Sequence, residues 1–320
     1  MAEKYDIKGP HDYLPEEREP APFPEIQPAW KIPGKVVIQA AISGGGHLNN
    51  KANPHFPANL DDIRDEAEEC IQAGASGVHF DHDYWQCKTR DGKTLRMGES
   101  YGYIINPLLE KYGRAKLLPN CNILRGETYE EQLTTVYNGI SEISYLNPSN
   151  SPRWLVTTMG ILLEHGCRPE LVIHEPSKID LADRIFLRDG LLPKPRMYII
   201  LAGSSLQSPS RRHMFMPNER AMAEGLLLLV NRIRDVDSDD PFIIVCASGR
   251  SSRYLTTFAM LLGLHVRVGM EDTVWKYPHR QDLVKSNAEE VREAIQIARL
   301  LGRELATPDE YREMVGLKPR

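Results

Sequence analysis

Eight short apolar runs separated by amphipathic stretches predict a (β/α)8 TIM barrel, an α/β fold. Three observations carry that expectation. The length of 320 residues suits one barrel of roughly 250 residues with additions. The runs are almost continuously apolar, as parallel strands buried on both faces must be. The stretches between them repeat apolar residues at helical spacing. A doubly wound open sheet is the alternative, but no GxGxxG follows the first run. Gly44-Gly45-Gly46 stands there, and it leads into polar loop residues and a proline, not a helix start.

Residues 1–34 stand outside the pattern. They hold seven prolines, many charges and no apolar periodicity, which predicts a surface arm that does not fold alone. An arm packed across a subunit interface is the alternative. Residues 35–320 are expected to form the barrel domain. Its strands are read as KVVIQAAI (35–42), SGVHFD (76–81), AKLLPNC (115–121), SEISYL (141–146), ELVIHE (170–175), RMYIIL (196–201), FIIVCA (242–247) and LHVRVG (264–269). Asn59 offers an N-cap for the first helix, with Asp61 and Asp62 complementing the dipole in its first turn. Ile63, Ala67, Cys70 and Ile71 continue it at helical spacing. Residues 127–138, 152–165, 179–188, 217–234, 251–262 and 285–301 are read as further helices. Thr307 and Pro308 start a short C-terminal helix that closes the barrel bottom or an interface.

Composition narrows the function. A net charge of −5 with scattered Lys and Arg leaves no basic footprint, so no nucleic-acid partner is expected. No apolar run reaches the roughly 20 residues of a membrane span, and the N-terminus lacks a secretory apolar region. The cysteines are Cys70, Cys87, Cys121, Cys167 and Cys246. Their odd number and the lack of any CxxC pair argue against a disulfide framework and for a reducing, cytoplasmic setting.

In such a barrel the chemistry gathers at the C-terminal strand ends. Strand 2 ends in His79-Phe80-Asp81-His82-Asp83. Residues two apart share a face, so His79 and Asp81 can point at one centre and pair for a divalent cation. Loop-edge residues that bond each other are the plainer reading. Strand 8 ends in Arg267-Val268-Gly269-Met270-Glu271-Asp272. Strands 2 and 8 both flank strand 1 in a closed barrel, so Glu271 can complete that metal set, with Asp272 as a base. Arg267 would hold a carboxylate, the substrate's or that of Asp272; a structural ion pair is the alternative. After strand 1, Ser43 and three glycines allow close backbone approach to a ligand, and His47 is a ligand, a proton carrier or a loop residue. After strand 7, Ser248 and Arg250 stand before a helix start and suggest an anion site, with Ser208, Arg211 and Arg212 adding charge. An ordinary N-cap at Ser251 with solvated arginines is the alternative there. Asn120, Asn122, Tyr145, Asn147, Glu170, His174 and Glu175 are further candidates to line the pocket.

At these residues the chain resembles the β-keto acid cleavage enzymes, typified by 3-keto-5-aminohexanoate cleavage enzyme. The resemblance runs from about Lys35 to Leu317. It is carried by AAISGG (40–45), NPHFPANLDDI (53–63), QAGASGVHF (72–80), RPE (168–170), the spacing from SGR (248–250) to HVRVGMED (265–272), and SNAEEVREAIQIARLLGRELATPDEYREM (286–314). It implies a barrel that holds a divalent metal, usually zinc, and joins a β-keto acid to acetyl-CoA, giving acetoacetate and a new acyl-CoA. It also implies a homo-oligomer, a tetramer or dimer. Under it His79 and Glu271 are metal ligands, Asp272 the catalytic base and Arg267 its assistant. Other positions depart from the family. Asp81 stands where a second metal histidine is expected, and this carboxylate would suit Mn, Fe or Mg as well as Zn. Gly46, beside His47, replaces a Glu. Asn122 replaces a Ser, Tyr145 a Thr, and Val172 a Glu. These departures keep two alternatives in view: a CoA-independent metal-dependent lyase or hydrolase acting on a related carbonyl or carboxylate compound, and a non-catalytic relative.

Overall fold

Strands rich in Val, Ile and Leu must bury both faces, and here they do so by closing on themselves. The computed structural model describes residues 29–44, 51–203 and 216–320. The chain divides into two units, Met1–Ile32 and Pro33–Arg320. Most of the expected arm, residues 1–28, lies outside the described residues, as do His47 and the segment Ser208–Arg212.

In the second unit eight parallel strands pair in chain order into a closed barrel, which excludes the open doubly wound sheet. They are β1 (Ile38–Ala41), β2 (Gly77–Phe80), β3 (Pro119–Cys121), β4 (Ile143–Leu146), β5 (Arg168–Ile173), β6 (Met197–Gly203), β7 (Phe242–Ser248) and β8 (His265–Val268). Closure puts β1 between β2 and β8: Ala41 lies opposite His79, and Ile38 opposite Val266. The His79 and Glu271 segments, remote in sequence, therefore flank one strand.

The helices are α1 (Leu60–Ala73), α2 (Met97–Tyr112), α3 (Tyr129–Gln132), α4 (Thr134–Tyr137), α5 (Pro152–Glu164), α6 (Pro176–Ala182), α7 (Glu219–Val236), α8 (Ser252–Leu261), α9 (Asn287–Leu300) and α10 (Pro308–Met314). Asn59 caps α1 as expected, its side chain accepting from the Asp62 N–H at 3.0 Å. The sequence reading did not include α2, whose Gly98, Gly102 and Pro107 weaken helical propensity. Burial of Tyr101, Ile104, Ile105 and Leu108 against the barrel outweighs that cost. The single helix expected over 127–138 is instead two short turns broken at Leu133. That over 179–188 is α6 followed by a wider π-turn over Asp183–Leu187. Among the described residues no helix is long and apolar enough to cross a membrane.

The core has two layers. One lies between strands and helices; the other fills the barrel interior with Val37, Leu118, Ile143, Val172, Ile199 and Ile244, among others. The C-terminal helix α10 closes the bottom of that interior. Thr307 caps it, and Tyr311 and Val315 enter the interior layer, Tyr311 stacking on Phe242 at 5.5 Å. Arg312 is fully buried. It donates two hydrogen bonds of 2.8 Å to the Glu142 carboxylate and one of 3.0 Å to the Leu117 carbonyl, so it binds α10 to the segments entering β3 and β4. Arg114 also donates to Glu142, at 2.6 Å. Deleting one partner of a buried pair leaves the other charge under-compensated. Arg312→Ala is therefore expected to cost about 3 kcal/mol of stability, read as a lower urea midpoint with an unchanged slope.

Candidate functional site

Five side chains, from β2, β4, β8 and the segment after β8, meet at the C-terminal rim. Arg267, on β8, is buried to 1% exposure and anchors the group. Its Nε donates to Asp272 Oδ2 at 3.1 Å, and its Nη2 donates to Asp272 Oδ1 at 2.5 Å and to Glu271 Oε1 at 3.1 Å. Its Nη1 donates to the Tyr145 hydroxyl. The second oxygen of Glu271, Oε2, lies 3.5 Å from His79 Nε2. Tyr145 stacks flat on the His79 ring, centroids 4.7 Å apart.

The backbone that presents these groups needs glycine twice. Gly269 has φ 147°, and a Cβ there would fall 2.1 Å from the Ala41 carbonyl oxygen. This close approach lets the chain leave β8 and turn Glu271 inwards. Gly44 has φ 145°, and a Cβ there would meet both Asp81 Oδ2 and Glu271 Cδ at 2.9 Å. So Asp81 and Glu271 converge on the Gly44 backbone, and only a bare backbone fits between them. Asn287, at the start of α9, ties the strand ends together. Its Oδ1 accepts from Met270 N–H at 2.7 Å, and its Nδ2 donates to the Ile42 carbonyl at 3.2 Å and to Glu66 at 3.0 Å.

Electrostatics follow from burial. Burial raises Asp81 to about 6 and pushes Glu271 and Asp272 above the usual carboxylate range, while the Arg267 charge pulls all three back. Asp272 and Asp81 also raise Glu271. Burial, and then the Arg267 charge, hold His79 well below its usual value, so its imidazole is neutral near pH 7. When ionised, three carboxylates against one guanidinium leave two negative charges in a dry site. That deficit matches one divalent cation. The 3.5 Å separation of His79 Nε2 and Glu271 Oε2 also suits two donors about 2.1 Å from one tetrahedral ion. Among the described residues no group of three His, Cys, Asp or Glu side chains is already arranged to hold a metal. His79 and Glu271 are thus two donors spaced to fit such an ion, and Asp81 converges with Glu271 on the Gly44 backbone.

The remaining sequence candidates divide. Asn122 lies beside Asp81 and lowers its pKa by a side-chain hydrogen bond; its own Oδ1 is buried without a hydrogen bond. Ser248, at the end of β7, has a buried hydroxyl without a partner. Ser43 donates to the Asp81 backbone carbonyl at 2.7 Å, so its role is to hold that loop. Arg250 is engaged elsewhere: it lies 3.9 Å over the Trp275 ring and donates to the Arg280 carbonyl and to Gln281 Oε1, both at 2.8 Å. His82 turns away from the rim, Nε2 meeting Ser100 on α2 at 2.6 Å. Asn147 hydrogen-bonds within its own turn, and Glu175 precedes α6 and pairs with Lys178 at 3.1 Å. Of the pocket candidates, Asn120 and Glu170 lie under His79. One residue escaped the sequence reading of the site: Cys246 sits behind the Arg267–Asp272 pair, 3.3 Å from each. Alternation along β7 marks Cys246 as inward-facing, but no local signal names its partners.

The family model described as beta-keto acid cleavage enzyme matches residues 35–111 and 116–317. The 3-keto-5-aminohexanoate cleavage enzyme of Fusobacterium nucleatum subsp. nucleatum is 29% identical over 299 residues, covering 89% of this chain and 98% of that protein. The 3-dehydrocarnitine:acetyl-CoA trimethylamine transferase of Rhizobium meliloti is 22% identical over 321 residues, covering 89% and 98%. Among solved structures, the apo structure of ObcA superposes with a TM-score of 0.63 at 20% identity; the match covers 82% of this chain and 66% of that one, and so shows a shared fold. The family model spans nearly the whole barrel, from β1 to α10, and the chain belongs to the beta-keto acid cleavage enzyme family.

Proposed function

We propose that the chain cleaves a β-keto acid with acetyl-CoA by a retro-Claisen route, in residues 35–320 and in the presence of a divalent metal. The observation that carries this reading is the buried Arg267–Asp272 pair, with Glu271 beside it reaching His79 from the other side of β1. His79, Glu271 and Asp81 are the residues that would hold the metal, with zinc first and Mn, Fe or Mg as alternatives. A divalent cation there supplies Lewis acidity toward a carbonyl oxygen.

The chain's own groups supply the rest. Asp272 takes a proton from the carbon between the carboxylate and the ketone. Arg267 orients Asp272 through its two-oxygen contact, and Tyr145 and Cys246 hold Arg267 in turn. The resulting carbanion attacks the acetyl-CoA thioester and releases CoA thiolate. The thiolate then attacks the original ketone, the C–C bond breaks, the departing carbanion takes back the proton held on Asp272, and acetoacetate and the new acyl-CoA leave. Asn122, Ser248 and Ser43 border the substrate's space, and His47 is a further proton carrier. Arg250, through its contacts with Trp275 and Gln281, shapes the neighbouring loop. The enzyme acts as a homo-oligomer, a tetramer or dimer, in the cytoplasm.

A second reading, a CoA-independent metal-dependent lyase or hydrolase, is favoured by Tyr145, whose ring covers His79, and by Val172 inside the barrel. One assay separates the two. Acyl-CoA is expected only when a keto acid and acetyl-CoA are both supplied; product formed by purified holoenzyme without CoA would favour the second.

Three outcomes follow from the site. Purified protein should carry close to one metal per chain, lost in His79→Ala and in Glu271→Ala; retention in both would sink the metal assignment. Asp272→Asn should lower kcat about 10²- to 10⁴-fold with the melting temperature kept, and a kcat near wild type would remove Asp272 from the chemistry. Tyr145→Thr should shift kcat/KM toward bulkier keto acids by about tenfold or more. An unchanged ratio between large and small substrates would show that Tyr145 does not set pocket size.

A further inference from the structure

His79 has two ring nitrogens, and a neutral imidazole can offer a lone pair from only one. Which one is decided beneath the site. His79 Nδ1 lies 3.1 Å from Asn120 Oδ1, on the neighbouring strand and directly opposite in register. Asn120 Nδ2 lies 3.0 Å from Glu170 Oε2, on β5. All three side chains are fully buried.

The chain of contacts has one consistent direction. Glu170 Oε2 accepts whether the carboxylate is ionised or carries its proton on Oε1, which has no hydrogen-bond partner. With Oε2 accepting, as here, the Asn120 amide turns its NH2 toward Glu170 and its oxygen toward His79. An oxygen there requires His79 to donate from Nδ1. Nε2 is then left with its lone pair, buried, without a hydrogen bond, and 3.5 Å from Glu271 Oε2. Reversing the amide would put two donors face to face at Nδ1 or move the proton to Nε2.

We propose that Glu170 is a positioning residue for the site: acting through Asn120, it sets the Nδ1–H tautomer of His79 and so presents Nε2 as a lone-pair donor to the rim. The consequence for metal affinity rests on the proposed metal role of His79 and Glu271; the tautomer does not.

The test uses metal-free protein labelled with ¹⁵N-histidine, read by long-range ¹H–¹⁵N correlation. The His79 signals are assigned by their absence in His79→Gln. Wild type is expected to show His79 protonated on Nδ1. Glu170→Gln keeps an acceptor oxygen and should retain that tautomer. Glu170→Met removes the acceptor and should shift His79 to Nε2–H or to a mixture. Zn²⁺ affinity, measured by competition with a chromophoric chelator, should fall about 10- to 100-fold in Glu170→Met and be rescued in Glu170→Gln. Should Glu170→Met fail to fold, Asn120→Met breaks the chain at its middle link and takes the same readouts. An Nε2–H tautomer in wild type would overturn the proposal, as would a folded Glu170→Met or Asn120→Met with wild-type tautomer and affinity. Failure of wild type to bind Zn²⁺ would overturn the metal reading alone and leave the tautomer result standing.

Discussion

The Arg267 guanidinium is the fixed point of the site. A buried cation is tolerable only when its charge and its donors are met, and Arg267 meets them with Asp272, Glu271, Tyr145 and Cys246 at once. Each partner is oriented by that demand. Asp272 is held by two guanidinium nitrogens, Glu271 keeps one oxygen on Arg267 and turns the other toward His79, and the Tyr145 ring is brought flat over His79. Because the carboxylates outnumber the guanidinium, the same contacts leave a negative deficit at the rim whenever those carboxylates are ionised.

The barrel supplies the geometry this needs. Closure places β1 between the strands that carry His79 and Arg267, so the two halves of the site share one wall. Gly269 lets β8 pass within contact of the Ala41 carbonyl, and Asn287 ties Met270 to Ile42 across the same gap. Glu66 in turn holds Asn287 with hydrogen bonds to its backbone and side chain. The opposite end of the barrel is closed by Tyr311 and Arg312. Stability and chemistry are thus separated along the barrel axis, as this fold allows.

The positions expected to depart from the family pattern lie at the rim or inside the barrel. Asp81 adds a carboxylate beside Glu271, Tyr145 adds a ring over His79, and Val172 adds an apolar wall to the barrel interior. The first changes charge and the other two change volume and polarity, while the Arg267–Asp272 pair is kept.

The sequence by itself determined the barrel. Eight apolar runs that need burial on both faces admit few arrangements, and the caps at Asn59 and Thr307 are local hydrogen bonds that any helix start would use. It also put Arg267 beside Asp272, because near neighbours are a local property. The helix Met97–Tyr112 was not legible, since its glycines and proline argue against a helix that burial alone sustains. Other assignments belonged to the tertiary structure because they are contacts between strands far apart in the chain. Arg250 is drawn away to Trp275, Cys246 and Tyr145 are drawn to Arg267, and Asn120 and Glu170 come to lie beneath His79. Residue type shows what a side chain can donate or accept. Only the folded barrel decides which partner takes it.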